Sequence, residues 1–240
     1  MLNRQHTRLL LAPVAALLLG GSAVSAQTYS EEAERIQQAV DVMQALAGEP
    51  DSGVPTSIFD RAQAVVVIPS LDRGGLFFGV ESGRGVMSVR DPYSHRWSAP
   101  AFMSISGGNF RTQIGLEATD LVLLVMNKDG IDNWLRGEFT LGGTVPVAPG
   151  PVGHHAKAAS YAPGPAKILV YSRLRWVFEG VTLQGATLRP DQSADDRFYG
   201  RTLSTREIVR SQELEFGYVP ALANLWQDTL QTLAGGLAAD

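Results

Sequence analysis

Between Gly74 and Gly153 the chain sets 14 of its 25 glycines among aliphatic and aromatic residues, and this spacing narrows the folds open to it. Gly74-Gly-Leu-Phe-Phe-Gly79, Ser106-Gly-Gly-Asn-Phe110 and Phe139-Thr-Leu-Gly-Gly143 alternate apolar side chains with glycine, the pattern of tight strands with bulges and close backbone approach. The same stretch holds almost no residues arranged for catalysis. It reads as a scaffold that binds, built as an α+β fold: a glycine-rich, mainly antiparallel sheet, strongly bent or barrel-like, with helices at both ends.

The first 26 residues carry Arg4 and Arg8, then the apolar run Leu9 to Leu19, then Val24-Ser-Ala26 with small residues where a signal peptidase cuts. A secretory signal over 1–26 is expected, and with it an exported chain, periplasmic or secreted, beginning at Gln27. Its apolar run is about half the length a membrane-spanning helix needs. Loss of Arg4 and Arg8 takes the net charge from −4 to near −6. An acidic chain without a long basic run does not suit nucleic acid, where clustered Lys and Arg supply most of the affinity. There is no cysteine, so a core and not a disulfide must hold the fold.

The mature chain divides into an N-terminal amphipathic helix and linker over 27–56, a main domain over 57–200 and a helical extension over 201–240. Thr28-Tyr-Ser-Glu31 fits a capping box, and Ala33, Ile36, Val40, Met43 and Ala47 recur at helical steps. A short helix is expected over Ser57 to Gln63, then a buried strand at Ala64-Val-Val-Val-Ile68. Further strands are expected near Leu76–Glu81, Gly85–Arg90, Ala101–Ser106, Phe110–Leu116, Leu121–Met126, Glu138–Val147, Lys167–Ser172 and Gly180–Leu188. A helical turn falls at Ile131–Arg136, and rigid turns at Ala148-Pro-Gly-Pro151 and Ala162-Pro-Gly-Pro165. The short spacings favour antiparallel pairing. Arg189 to Arg197 reads as a polar loop and Thr205 to Leu214 as a helix. After Pro220, residues Leu222, Leu225, Trp226, Leu230 and Leu233 share one helical face, expected to cover the sheet because the polar face lacks the Lys or Arg of a membrane-inserting helix.

Signatures of catalysis are missing: no Gly-x-Ser-x-Gly elbow, His-Glu-x-x-His helix, Walker loop or dinucleotide fingerprint occurs. His154-His155 is the one tempting metal element, yet neighbours on an extended segment point to opposite sides. Asp195-Asp196 reads as a solvated turn. No enzyme, cofactor or metal is expected.

By Asp120-Leu-Val-Leu-Leu-Val-Met-Asn127 the chain has reached a pattern that resembles the SYLF family of lipid-binding domains. Matching pieces include Ile68-Pro69, Arg73-Gly-Gly75, Gly83-Arg-Gly-Val86, Trp97-Ser-Ala-Pro-Ala-Phe102, Gln113-Ile-Gly115, Gly150-Pro-Val-Gly153, Ile168-Leu-Val-Tyr-Ser-Arg173 and Phe198-Tyr-Gly200, in order from about Ser57 to Gly200. The resemblance implies phospholipid binding, with phosphoinositides and actin as partners in some eukaryotic members. Export would keep this chain from actin, leaving phospholipid or an anionic membrane surface as the partner. Burying about ten methylenes of an acyl chain is worth roughly 8 kcal/mol, whereas each Lys or Arg at an anionic surface gives about 1 kcal/mol. An apolar groove would thus dominate affinity and arginines would orient the head group. Arg73 and Arg84 match basic positions of the family pattern, and Arg173 and Arg175 sit beside Trp176 and Phe178; these six form the expected lipid site. The alternative for each arginine is a solvated strand end. A structural or self-associating envelope protein, using the same apolar surfaces for protein partners, is the competing function. Oligomeric state stays open.

Overall fold

Ala64-Val-Val-Val-Ile68 is apolar at every position because the strand it forms, β1 (Ala64–Ile68), is covered on both faces. The computed structural model describes residues 21–48, 54–69, 71, 82–107, 118–127, 131, 135, 137, 139–143, 146–152, 168–174, 177–181, 183–210 and 221–235. Beyond β1 it contains β2 (Ser82–Val89), β3 (Ala101–Ser106), β4 (Ala118–Val125), β5 (Phe139–Thr140), β6 (Val147–Pro149), β7 (Ile168–Leu174), β8 (Val177–Gly180) and β9 (Thr187–Pro190). Its helices are α1 (Gly21–Gly48), α2 (Thr56–Phe59), α3 (Gln192–Tyr199), α4 (Thr205–Arg210) and α5 (Ala221–Gly235). The strands make one curled half-barrel sheet in the order β5-β9-β3-β2-β1-β4-β7-β6, with β8 sharing the outer edge of β7. The architecture is the expected α+β fold, a bent and mainly antiparallel sheet with helices at both ends of the chain.

Alternation along the strands divides the core in two. Val65, Val67, Val86, Val122 and Tyr171 face a helical layer of α1, α2, α3 and α5, where Ile36, Met43, Phe59, Phe198 and Trp226 are buried. Val66, Ile68, Met87, Leu123 and Val170 face the inside of the curl, packed with Leu183, Leu188 and Ile208. Curling brings backbones close. A Cβ on Gly85 would lie 1.9 Å from the Val67 carbonyl oxygen, so at this crossing only glycine fits.

The terminal helix covers the sheet, as its missing basic residues led us to expect. Trp226 Nε1 donates to Ser88 Oγ at 2.7 Å, and that hydroxyl donates to the Ser98 carbonyl at 3.0 Å, which pegs α5 to β2 through the apolar layer. Its buried stripe is Ala223, Trp226, Leu230 and Ala234, whereas Leu225 is exposed and Leu222 and Leu233 are half-buried. On α1 the stripe runs through Glu32, Arg35, Ile36, Ala39, Val40, Met43 and Leu46, while Ala47 is exposed. Helix α1 also starts earlier than the capping box suggested, because no helix breaker lies between Ser22 and Thr28 in the full chain.

Other boundaries differ for local reasons. The strand expected over Glu138–Val147 is two strands, interrupted where Gly142 takes φ 73° in a turn. Gly180–Leu188 likewise divides into β8 and β9 around a loop. Ala148-Pro149 is strand and not turn, pairing in parallel with Leu169 and Val170. The 18 residues between β6 and β7 give the length a parallel crossover needs. Arg189 to Arg197 is not a loop: it ends β9 and forms α3. Ser204 caps α4 reciprocally, its Oγ accepting from Glu207 N at 3.2 Å while Glu207 Oε2 accepts from Ser204 N at 2.7 Å. The Ser204 hydroxyl, which donates to Glu207 Oε2 at 2.7 Å, and then the Ser204 backbone N–H hold the Glu207 carboxyl below its usual pKa. The strands expected near Leu76–Glu81 and Phe110–Leu116, and the turn at Ala162-Pro-Gly-Pro165, lie outside the described residues.

Candidate functional site

Sheet register places three of the expected lipid-site residues in one cross-strand row. Val86 and Val122 both oppose Val67, so Arg84 and Asp120 each lie two residues further toward the same end of the sheet. Asp120 opposes Arg173, and Arg173 opposes Phe178. The Asp120–Arg173 pair continues the unbroken ladder that starts at Val125–Ile168, and the register slips only past it, between Asp120 and Ala118. Opposed residues share a face, and Tyr171 and Phe178 belong to the helical layer. Arg84 on β2 and Arg173 on β7 are three strand spacings apart, about 14 Å.

The neighbours of the two arginines differ. Arg173 pairs with Asp120 through Nη2 and Oδ2, its guanidinium 5.7 Å from the Phe178 ring centroid. Phe178 is fully buried, so it presents its ring to Arg173 and not to solvent. The Arg84 side chain is 60% exposed, and its Nη1 donates to Glu31 Oε1 on α1 at 2.6 Å.

Next to this row, α1 and α3 meet through charges inside the helical layer. Glu32, with no exposed surface, accepts from Arg197 Nε at 3.0 Å and Nη2 at 2.7 Å, both on Oε1. Arg35 donates to Asp191 Oδ2 at 3.1 Å, contacts Glu31 Oε1 at 3.5 Å and lies 5.2 Å over the Phe102 ring. These bonds run through a helix stripe that would otherwise be apolar, and each buried charge has an opposite charge beside it.

Another acid anchors α3 to the sheet. Asp195 is wholly buried and its Oδ1 accepts from Phe102 N at 2.8 Å, while Asp191 N donates to the Phe102 carbonyl at 2.9 Å. The solvated turn expected at Asp195-Asp196 is therefore wrong for Asp195, because the backbone N–H of Phe102 needs an acceptor where β9 ends. Burial pushes Asp195 up to about 8; the Phe102 N–H opposes the rise, and Asp191 and Asp196 add to it. The Thr205 hydroxyl weighs slightly toward the ionised form, but Thr205 Oγ1 and Asp195 Oδ2 are each buried without a hydrogen bond. Tyr199, one turn further along α3, donates to the Pro100 carbonyl at 2.6 Å, and burial holds its phenol well above its usual pKa.

Of the expected site, the structure thus brings Arg84, Arg173 and Phe178 into one row. Arg73, Arg175 and Trp176 lie outside the described residues, as does His154-His155. Among the described residues no cluster of acids or histidines is placed to hold a metal, and no helix is long and apolar enough to cross a membrane. Glu31, Glu32, Arg35, Asp195 and Arg197 were not anticipated. Extending the α1 stripe back one turn from Ile36 would have found Glu32.

Residues 106–233 match the Ysc84 family, described as a Las17-binding protein actin regulator. "LAS seventeen-binding protein 3" of Saccharomyces cerevisiae is 32% identical over 162 residues, 66% of this chain and 35% of the yeast protein. "SH3 domain-containing YSC84-like protein 1" of Xenopus laevis is 29% identical over 171 residues, 71% of this chain and 49% of its own length. A Schizosaccharomyces pombe SH3 domain-containing protein is 32% identical over 163 residues, 66% of this chain and 37% of the relative. The chain therefore spans about a third to a half of the curated relatives it matches. One of these relatives is named for binding and two for an SH3 domain; none is named for a reaction. With more than half of its length inside the family match, this chain belongs to the Ysc84, or SYLF, family.

Proposed function

We propose that this protein is an exported, non-enzymatic phospholipid-binding protein whose arginines contact head-group phosphates while an apolar groove takes acyl chain. The observation that carries the reading is the row in which Arg84 and Arg173 share one face and one end of the sheet. Arg73, Arg175 and Trp176 complete the proposed contacts. Guanidinium groups suit this task because their planar fork pairs bidentately with phosphate. Export with cleavage near Ala26 is part of the proposal, and a chain starting at Gln27 would restore Thr28 as a helix cap.

Co-sedimentation of the chain from Gln27 with phosphatidylglycerol vesicles at low salt tests the reading, with Arg173→Ala/Arg175→Ala as the comparison. Binding by the parent that the double variant weakens is the expected result. No association of the parent with any vesicle would end it. The competing function, docking of a protein partner or a second copy, draws on relatives named for binding the Las17 protein. It predicts concentration-dependent assembly in light scattering. Among the described residues only Tyr93 and Leu225 are large, apolar and exposed, a small surface for such assembly.

A further inference from the structure

We propose that Arg84 and Arg35 form an oxyanion site that Glu31 fills in this structure, and that a phosphate group takes the carboxylate's place. The proposal rests on the phospholipid reading for the identity of its natural ligand, and on the geometry of α1 and β2 for the site itself. Glu31 Oε1 is shared by two guanidiniums from different elements, Arg84 Nη1 at 2.6 Å and Arg35 Nη2 at 3.5 Å. A carboxylate held between two arginines occupies the position a phosphate oxygen would take.

The surroundings make Glu31 replaceable. Arg35 is fixed: its side chain is 6% exposed, bonded to Asp191 and stacked on Phe102. Arg84 and Glu31 are both well exposed, so their contact is reachable from solvent and weak. Glu32, one residue on, is sealed in the core and cannot be exchanged in this way. Charge balance points the same way. Three carboxylates, Glu31, Glu32 and Asp191, face three guanidiniums, Arg35, Arg84 and Arg197, across α1, α3 and β2. Asp195, the other acid packed against this group, is mostly protonated at neutral pH. Swinging Glu31 out leaves one uncompensated positive charge, which a single phosphodiester restores to balance. Phosphate from a lipid head group and free phosphate share this chemistry.

The test uses the full chain and its Glu31→Gln variant with three probes: phosphatidylglycerol vesicles, phosphatidylcholine vesicles and inorganic phosphate. Removing the resident anion should tighten binding to phosphatidylglycerol about five-fold, the equivalent of one charge contact at a membrane surface. Glu31→Gln/Arg84→Ala should lose the gain. Glu34→Gln is the control, since Glu34 is exposed on the same helix and bonds to Gln38, so it changes net charge equally without touching the site. Glu31→Ala provides a second removal of the carboxylate should the amide disturb folding. A gain shared by Glu34→Gln, or none for either Glu31 variant on any probe, overturns the proposal. Vesicle binding by the parent without a gain in the Glu31 variants rejects the site and keeps the lipid reading. A gain on inorganic phosphate with no vesicle binding at all keeps the site and rejects the lipid reading.

Discussion

Glu31 and Glu32 are adjacent in sequence and each ends on an arginine, yet the two pairs belong to different parts of the molecule. Consecutive helix positions diverge by about 100°, so Glu32 points into the layer between α1 and α3 while Glu31 points along the surface to β2. Glu32 has no exposed surface; Glu31 has half its side chain in water. The same ion-pair chemistry is thereby a clamp in one place and an exchangeable contact in the other. Burial, more than residue type, decides whether a charge serves stability or binding.

Cutting the clamp should give the largest effect. Arg197→Ala leaves Glu32 buried without its guanidinium, and loss of one partner of such a pair costs about 3 kcal/mol. Urea unfolding should show the midpoint falling while the slope stays constant. Arg197→Lys should recover part of the loss, because an ammonium can make one of the two bonds to Oε1. A wild-type midpoint for Arg197→Ala would erase the distinction between the two pairs.

The buried acid of α3 supplies a pH axis for the same comparison. With its folded pKa raised from 3.8 to about 8, Asp195 is bound to its proton more tightly in the native state than in the unfolded chain. Stability is therefore fully present below about pH 4 as far as this group is concerned, and is lost as pH rises toward 8, by up to ~1.4 kcal/mol per pH unit. Asp195→Asn keeps an oxygen for the Phe102 N–H and removes the titration. Its unfolding free energy should lose this downward slope between pH 5 and 8 and exceed that of the parent at the upper end. Identical pH profiles for the two proteins would show that Asp195 carries its charge in the fold.

The fold was legible where one requirement acted on a whole segment. Ala64-Val-Val-Val-Ile68 could only be a strand covered on both faces, and the glycines foretold close backbone crossings such as Gly85 on Val67. Where two local signals competed, the boundaries moved. Pro149 and Gly150 look like a turn, yet the ladder to Val170 draws Pro149 into an edge strand, the place where a missing N–H does least harm. The row of Arg84, Arg173 and Phe178 joins residues as many as 94 positions apart, and spacing along the chain carries no register. Asp195 was hidden for another reason: its burial is set by Phe102 N, a backbone donor that no side-chain pattern reveals.

The smallest expected effect on stability falls on the exposed side of the comparison. Arg84→Ala breaks a contact that both partners can replace with water, so unfolding should shift by less than about 1 kcal/mol. Arg173→Ala also leaves the carboxylate of Asp120, whose side chain is 3% exposed, without this guanidinium, so vesicle binding of variants that carry it is read together with their unfolding midpoint. Binding of Arg84→Ala to phosphatidylglycerol vesicles should weaken about five-fold at low ionic strength. The difference from the parent should shrink toward 1 M salt, where the screening length falls to about 3 Å and a surface charge is felt only in direct contact. A stability loss as large as that of Arg197→Ala, or a vesicle affinity that ignores both the substitution and the salt, would place Arg84 with the clamp and leave the row without an arginine open to phosphate on β2.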